Sequence, residues 1–212
     1  MPHLETTSAT EAYRQRCEDR LAVFATGERA VIVVADGAGG VGAGELAAEA
    51  VVREVEAHYA EINTADGWTE LLRQIDCRVG PGESTAVVVD IRPYGMAVAS
   101  VGDSQAWIIA DGAIDDLTRD QQRKPLLGSG QAAPVARMHP PLAGLLLVAT
   151  DGFFNYAKAE EVTRLVTNTD FYSTPRKCIE LVRLPSGELW DDIAVVVARV
   201  KPATNTRQRY AI

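Results

Sequence analysis

Four aspartates lie where strongly apolar, β-type segments begin or end. Asp36 and Asp151 follow such segments directly. Asp103 follows one after a single glycine, and Asp191 stands shortly before another. One acid at a strand end is usually a turn residue, but four in one chain indicate a shared role. If the strands end at one edge of a sheet, the carboxylates would converge and repel one another unless cations lay between them. The pattern therefore predicts a divalent metal centre, of the kind that activates water for in-line attack on phosphate.

The segment around Asp36 is the most informative of the four. The apolar run 31–35 fits a buried strand, and five glycines follow Asp36 within residues 37–44. Gly37 would let the backbone turn so that its own carbonyl points the same way as the carboxylate, and oxygen ligands suit magnesium or manganese. The segment lacks the Gly-Lys-Ser/Thr ending of a P-loop and the spacing of a dinucleotide fingerprint. A plain strand-to-helix turn is the alternative for this stretch taken alone.

Composition and charge limit the possible classes of protein. The chain has 212 residues, of which 47% are hydrophobic and 24% charged, as in an ordinary folded protein. A net charge of −8 argues against a nucleic-acid partner or an anionic membrane surface. The three cysteines form no Cys-x-x-Cys pair and indicate reduced thiols. No segment resembles a signal peptide or a membrane span, so the expected location is the cytoplasm.

Apolar periodicity supplies the elements that must position the acids. We expect a flexible N-terminus over residues 1–12, one domain over 13–201 and a flexible tail over 202–212. Residues 118–144 are rich in Gln, Pro and Gly and predict irregular structure. Because helices occur in blocks instead of alternating with each strand, the order favours an α+β layered sandwich over a Rossmann-type sheet. The predicted elements are strands 21–24, 29–35, 84–91, 96–101, 106–110, 145–150 and 193–200, and helices 44–62, 68–79, 158–167 and 174–182.

Short motifs around the acids occur in an order that resembles the metal-dependent protein phosphatases of type 2C, the PPM family. The resemblance extends over residues 13–200, and its specificity comes from the ordered set, since any one motif is weak. The motifs are Arg14 with Glu18-Asp19, Asp36-Gly37-Ala38-Gly39-Gly40, Ser84-Thr85-Ala86, Gly102-Asp103-Ser104, Thr150-Asp151-Gly152 and Asp191-Asp192.

The resemblance implies a fold and a set of metal ligands. The fold would be a four-layer αββα sandwich of two antiparallel sheets flanked by helices. Asp36 would bridge two Mn²⁺ or Mg²⁺ ions, with the Gly37 carbonyl and Glu18 or Asp19 as further ligands, directly or through water. Asp151 and Asp191 would complete the opposite ion. Asp103, together with Asp151, would hold a weaker third ion.

The resemblance also implies the reaction. A water bridging the two ions would be the nucleophile, and Arg14 would bind the phosphate, for which a guanidinium fork is well suited. Ser84, Thr85 and Ser104 would support strands and loops instead of attacking the substrate. Cys17 stands next to an acid, which argues against a cysteine phosphatase. His139 is more typical of a loop residue than of a general acid.

The sequence departs from the family pattern in two places. After Asp120 the chain reaches Leu127-Gly128 almost directly, so the flap segment that shapes the substrate groove is shortened or lost. Asp192 stands where asparagine is common, which leaves two neighbouring acids as candidates for one ligand position. Asp191 is the predicted ligand.

These observations predict an enzyme that hydrolyses phosphoserine and phosphothreonine monoesters on proteins. Its expected partners are phosphorylated proteins and a serine/threonine kinase, with no nucleic acid and no membrane, and we expect a monomer. One alternative is a catalytically silent phosphatase-like module that binds a kinase or scaffold. Another is a phosphatase for small phosphorylated molecules, for which a more open groove would be suitable.

Overall fold

Two β-sheets pack face to face in this protein, and helices cover their outer faces. The structure is a computed structural model that describes residues 3–39 and 42–201. The strands in these ranges are β1 (His3–Glu11), β2 (Arg20–Thr26), β3 (Arg29–Ala35), β4 (Gly37–Ala38), β5 (Glu83–Ser84), β6 (Ala86–Arg92), β7 (Gly95–Val101), β8 (Gln105–Ala110), β9 (Ala113–Asp116), β10 (Val135–His139), β11 (Leu145–Ala149) and β12 (Ile193–Lys201). The helices are α1 (Ala43–His58), α2 (Ala65–Asp76), α3 (Asp151–Phe154), α4 (Ala159–Asn168) and α5 (Thr174–Leu181).

Both large sheets are antiparallel and five-stranded. One has the order β10-β7-β6-β3-β2 and the other the order β1-β12-β11-β8-β9, while β4 and β5 form a short ribbon. Helices α1 and α2 pack on the first sheet, and α3, α4 and α5 pack on the second. A central apolar core fills the space between the sheets. The predicted α+β fold of four layers is confirmed.

Strand β3 contains an uninterrupted apolar run because both of its faces are buried. Val31 and Val33 pack in the core beneath the helices, whereas Ile32 and Val34 point into the core between the sheets. Successive side chains of a strand point to opposite faces, and here both faces are buried. Strand β2 lies at the edge of this sheet and pairs antiparallel with β3.

The prediction of a flexible N-terminus is wrong for residues 3–11. These residues form β1, which pairs with β12 along its whole length, from His3 opposite Lys201 to Glu11 opposite Ile193. The domain therefore begins before residue 13. Strand β1 lies at the edge of its sheet and is rich in threonine and glutamate, so it lacks the apolar alternation that would have identified it. The predicted tail over 202–212 lies outside the described residues.

The prediction of irregular structure for residues 118–144 is wrong in part. Strand β10 lies within this range and pairs with β7 at the edge of the first sheet. Arg137 and Met138 of this strand are exposed, as is common for an edge strand, and the sequence of β10 shows no alternation of apolar and polar residues that would predict a strand. Among the described residues, no helix is long and apolar enough to cross a membrane.

Candidate metal centre

The strand ends that carry the predicted acids meet at one end of the sandwich. Antiparallel pairing places the ends of β3 and β7 beside the start of β6, and the end of β11 beside the start of β12. Asp36 follows β3, Asp103 lies in the turn after β7, and Asp151 begins α3 directly after β11. Carboxylate oxygens of these three aspartates lie within 4.8 Å of one another. Two sheets and three strand ends thus bring three acids to one point.

Asp191, Glu18 and Asp19 lie at the same end of the molecule. Asp191 stands just before β12, and its charge acts on Asp36. Asp19 is buried, and its carboxylate accepts a hydrogen bond of 2.7 Å from the Thr150 hydroxyl. Glu18 lies against Gly44, where an added methyl group would stand 2.7 Å from the Glu18 Oε2 atom. The predicted acids therefore surround one region, with Asp19 at its buried side.

The electrostatics of this region show an excess of negative charge. Burial raises the pKa of Asp36 to about 10, together with the charges of Asp19 and Asp151. Burial also raises the pKa of Asp19 to about 8, although the hydrogen bond from Thr150 opposes this shift. The pKa values of Asp103 and Asp191 are raised for the same first reason, burial. Of the six acids, Asp103 is the one with an ion pair among the described residues, to Arg123 at 3.5 Å. Carboxylates arranged in this way suit a bound cation.

Hydroxyl groups hold the backbone of Asp36 in place. The Asp36 N–H donates to Thr85 Oγ1 at 2.9 Å, and the Thr85 N–H donates to the Asp36 carbonyl at 2.9 Å. The Ser84 hydroxyl donates to the same carbonyl at 3.0 Å. Thr85 Oγ1 and Ser104 Oγ lie 2.7 Å apart, so the Asp36 and Asp103 loops are connected. These buried hydroxyls have a structural role and are not placed to attack a substrate.

The glycines beside the acids allow close approach of backbone segments. A methyl group at Gly37 would overlap the Gly44 carbonyl, and one at Gly152 would overlap the Asp192 carbonyl. Gly102 has a φ of 104°, and a methyl group there would lie 2.6 Å from the Thr85 side chain. The Asp-Gly and Gly-Asp pairs therefore fix how closely the acid-bearing loops pack. Gly40 of the predicted motif lies outside the described residues.

Asp191 and Asp192 have different roles in the fold. The Asp192 carboxylate accepts hydrogen bonds from the backbone N–H of Tyr13 at 2.7 Å and of Glu18 at 2.6 Å. Asp192 therefore fixes the segment 13–18, which sequence reasoning did not show. Asp191 accepts one bond, of 2.9 Å, from the backbone N–H of Asp192. The second oxygen of Asp191 has no hydrogen-bond donor among the described residues.

Arg14 lies on the segment that Asp192 fixes. Its side chain is exposed and helps to line an open cavity of about 860 Å³. Glu18 and Asp191 line the same cavity. The structure thus places the predicted phosphate-binding residue in one cavity with two of the predicted acids, with its guanidinium carbon 4.9 Å from the centre of the Tyr13 ring.

Cys17 and His139, the residues considered as a nucleophile and as a general acid, lie in surroundings that do not suit those roles. Burial, together with the charges of Asp19 and Asp192, raises the pKa of Cys17 to about 12, which makes this thiol a poor nucleophile. His139 ends β10 and pairs with Met96 near the start of β7. Asp103 follows the other end of β7, so His139 is remote from the acid cluster.

Solved structures of several bacterial phosphatases share this fold. A bacterial serine phosphatase carrying one arginine-to-alanine substitution is 21% identical, with a TM-score of 0.79 over 95% of this chain and 100% of that one. The serine/threonine phosphatase of S. agalactiae is 19% identical, with a TM-score of 0.80 over 94% and 100%. The catalytic domain of the phosphatase PstP, solved with two manganese ions, is 20% identical, with a TM-score of 0.74 over 94% and 99%. No family model matches this chain, and no curated protein matches it. At these identities the likeness shows a common fold.

Proposed function

We propose that this protein is a metal-dependent phosphatase that hydrolyses phosphoserine and phosphothreonine monoesters on proteins. The observation that carries the proposal is the meeting of Asp36, Asp103 and Asp151 within 4.8 Å in a fold that bacterial serine/threonine phosphatases share. The PstP structure with two manganese ions supports the choice of metal. The three aspartates offer carboxylate oxygens as ligands, which fits Mn²⁺ or Mg²⁺.

The residues that would hold two ions come from four parts of the chain. Asp36 would be the central ligand, since it lies in the cluster and is affected by the charges of Asp19, Asp151 and Asp191. Glu18, the Gly37 carbonyl, Asp151 and Asp191 would supply further oxygen ligands. Asp19 is buried and hydrogen-bonded to Thr150, so it acts behind the ligands through its charge or through water.

Divalent ions bound there would lower the pKa of water and neutralise phosphate charge. The protein itself contributes orientation. Arg14 projects into the open cavity beside Asp191 and would bind two phosphate oxygens through its planar guanidinium group. The hydrogen bonds that Asp192 accepts from the backbone of Tyr13 and Glu18 fix the position of the segment that carries Arg14. The reaction class is therefore hydrolysis of a phosphoric monoester without a covalent protein intermediate.

The first experiment measures hydrolysis of a phosphothreonine peptide with Mn²⁺ and with a chelator. We expect activity that needs the metal and that falls by about 10³-fold in Asp36→Asn, since about 4 kcal/mol of transition-state stabilisation is lost. Asp66→Asn makes the same change at an exposed acid on α2 and should leave the rate unchanged. A folded wild-type protein that binds Mn²⁺ but hydrolyses no phosphoester would contradict the proposal and favour a silent binding module.

The openness of the cavity favours a second candidate substrate class. Arg14 is exposed at this cavity, and the connection between Asp120 and Leu127 is short. A small phosphorylated molecule could therefore bind as well as a peptide. Comparison of kcat/KM for a small chromogenic phosphoester and for a phosphothreonine peptide separates the two classes. A large preference for the peptide supports the protein phosphatase.

A further inference from the structure

The short segment 121–123 lies directly on the loop that carries Asp103. The Gly102 N–H donates to the Gln122 carbonyl at 2.8 Å, on one side of Asp103. On the other side, the Gln121 side-chain amide donates to the Ser104 carbonyl at 2.7 Å. Two hydrogen bonds that flank Asp103 thus fix the segment, and Arg123 follows immediately. Its Nη2 atom lies 3.5 Å from Asp103 Oδ2.

The far end of this connection is fixed as well. Leu127 and Ser84 exchange two backbone hydrogen bonds of 2.9 and 3.0 Å. Arg123 is therefore held on a short tether between Gln122 and Leu127. Because Ser84 also bonds the Asp36 carbonyl, the tether is connected to the acid cluster at both ends. The proximity of Arg123 to Asp103 follows from this backbone arrangement, although the arginine itself is exposed.

The neighbouring arginines are engaged elsewhere. Arg119 pairs with Asp115, and Arg137 pairs with Asp120 at 2.8 Å. Among the described residues, Arg123 is the basic side chain that forms an ion pair with a member of the Asp36, Asp103 and Asp151 cluster. A guanidinium group at this position carries the charge that a divalent cation on Asp103 would otherwise supply.

We propose that Arg123 is a resident counter-charge that competes with a divalent cation for Asp103. The inference rests on the proposed function in one respect, that the same acids bind metal. Two ions would bind tightly at the ligands around Asp36, and a further ion would bind at Asp103 only when its concentration is high enough to displace the guanidinium. The competition is graded, because an exposed ion pair of this length is weak and yields to a divalent ion.

The test counts bound Mn²⁺ directly on the full chain, without a phosphatase assay. Free Mn²⁺ is measured by electron paramagnetic resonance during titration of wild type, Arg123→Gln and Arg123→Lys. We expect Arg123→Gln to tighten the weakest site by about two- to fivefold, since one opposing exposed charge is removed, and to leave the two tighter sites unchanged. Arg123→Lys keeps the charge and should titrate close to wild type.

Two further variants make the result specific to Asp103. Arg119→Gln removes the same charge from an exposed arginine that lines the same small cavity beside Asp103. It should change the weakest site by less than about twofold. In the double variant Arg123→Gln with Asp103→Asn, the gain in Mn²⁺ affinity at the weakest site should vanish, because the carboxylate that binds both the guanidinium and the metal ion is absent.

The outcomes separate the inference from the proposed function. Equal titrations of Arg123→Gln and Arg119→Gln would overturn the role of Arg123 while leaving a two-metal phosphatase intact. A gain in Mn²⁺ affinity that persists in the double variant, which lacks the Asp103 carboxylate, would also overturn the role of Arg123. Two tight ions with the expected Arg123 effect, but no hydrolysis, would uphold the inference and reject the phosphatase. Absence of Mn²⁺ binding in every variant would reject both.

Discussion

Asp90 and Asp36 lie at opposite ends of one sheet, and their surroundings are opposite too. Asp90 is 1% exposed and lies in β6 opposite Val31, near the start of β3, whereas Asp36 follows the end of β3. Arg29 donates to Asp90 at 2.8 and 2.9 Å, and Arg92 donates at 2.8 Å. Asp36 has acids as its neighbours. Burial favours the neutral form of both acids, yet hydrogen bonds from Arg92 and Arg29 hold the pKa of Asp90 below its ordinary value, while that of Asp36 rises to about 10.

This difference distinguishes a structural acid from one that needs an external cation. The protein supplies every partner that Asp90 requires, including the Trp68 indole N–H at 3.1 Å. It supplies Asp36 with backbone support but with no positive charge among the described residues. Desolvation of an unbalanced carboxylate is costly. The presence of Asp36 at one end of the sheet is therefore an argument for a bound metal, independently of any similarity to known enzymes.

The comparison predicts a large structural effect at Asp90. Asp90→Ala would remove a buried carboxylate and leave the partly exposed Arg29 and Arg92 without their ion-pair partner, which should lower the free energy of unfolding by about 3 kcal/mol. Urea denaturation measures this loss. The stabilisation by Mn²⁺ should be the same as in wild type, because Asp90 is remote from the acid cluster. A loss of the Mn²⁺ effect in a folded Asp90→Ala protein would contradict the separation of the two ends.

Metal addition should stabilise the Asp36 end. At a free Mn²⁺ concentration of 100 Kd the free energy of unfolding should rise by about 2.7 kcal/mol, or roughly 5–10 °C in Tm. Asp36→Asn should remove most of this gain, and Asp66→Asn should keep it. Thermal unfolding with Mn²⁺ and with a chelator provides the measurement. A full Mn²⁺ shift in Asp36→Asn would show that the metal binds elsewhere.

The sign of the pH dependence follows from the raised pKa of Asp36. A folded-state pKa of about 10 exceeds the ordinary value of 3.8, so the metal-free folded state holds a proton that the unfolded chain releases. The stability of the metal-free protein should therefore fall as the pH rises between these values, and Asp36→Asn should reduce that fall. Urea titrations at pH 6 and pH 9 in chelator compare the two proteins. An equal fall in both would assign the pH dependence to other groups.

The sequence allowed prediction of the acids and of the hydroxyl residues beside them, but not of the pairings between segments that are distant in the chain. Asp36 and Asp151 follow runs so apolar that both faces of the strand had to be buried, and an acid at such an end must face outward. Strand β1 escaped prediction because its stability comes from pairing with β12 at the other end of the chain, which no local pattern records. Arg123 was not predicted for a related reason: its contact with Asp103 depends on the hydrogen bond from the Gly102 N–H to the Gln122 carbonyl and on the one from the Gln121 side chain to the Ser104 carbonyl. Long-range pairings of this kind require coordinates.

Asp191 and Asp192 allow the same comparison, between an acid proposed as a metal ligand and a structural acid, at two adjacent residues. The expected change in free energy is smaller than at Asp90 or Asp36. Both oxygens of Asp192 accept backbone N–H groups, as those of Asp90 accept arginines, so Asp192 is a structural acid at the edge of the metal centre. In Asp192→Asn one oxygen becomes an amide donor that faces a backbone N–H, at a cost of about 1–3 kcal/mol.

The cost at Asp192 should appear mainly in the position of Arg14. We expect Asp192→Asn to raise KM for a phosphopeptide by about tenfold, equivalent to 1.4 kcal/mol, and to weaken Mn²⁺ binding less than Asp191→Asn does, because Asp192 contacts the proposed ligand Glu18 only through its backbone N–H. Asp191→Asn should instead weaken Mn²⁺ binding and lower kcat. Mn²⁺ titration and steady-state kinetics of the two variants provide the measurement, with Asp66→Asn as the control. If Asp192→Asn weakened Mn²⁺ binding and Asp191→Asn did not, Asp192 would be the ligand. The presence of hydrogen-bond donors on both carboxylate oxygens would then no longer identify a structural acid.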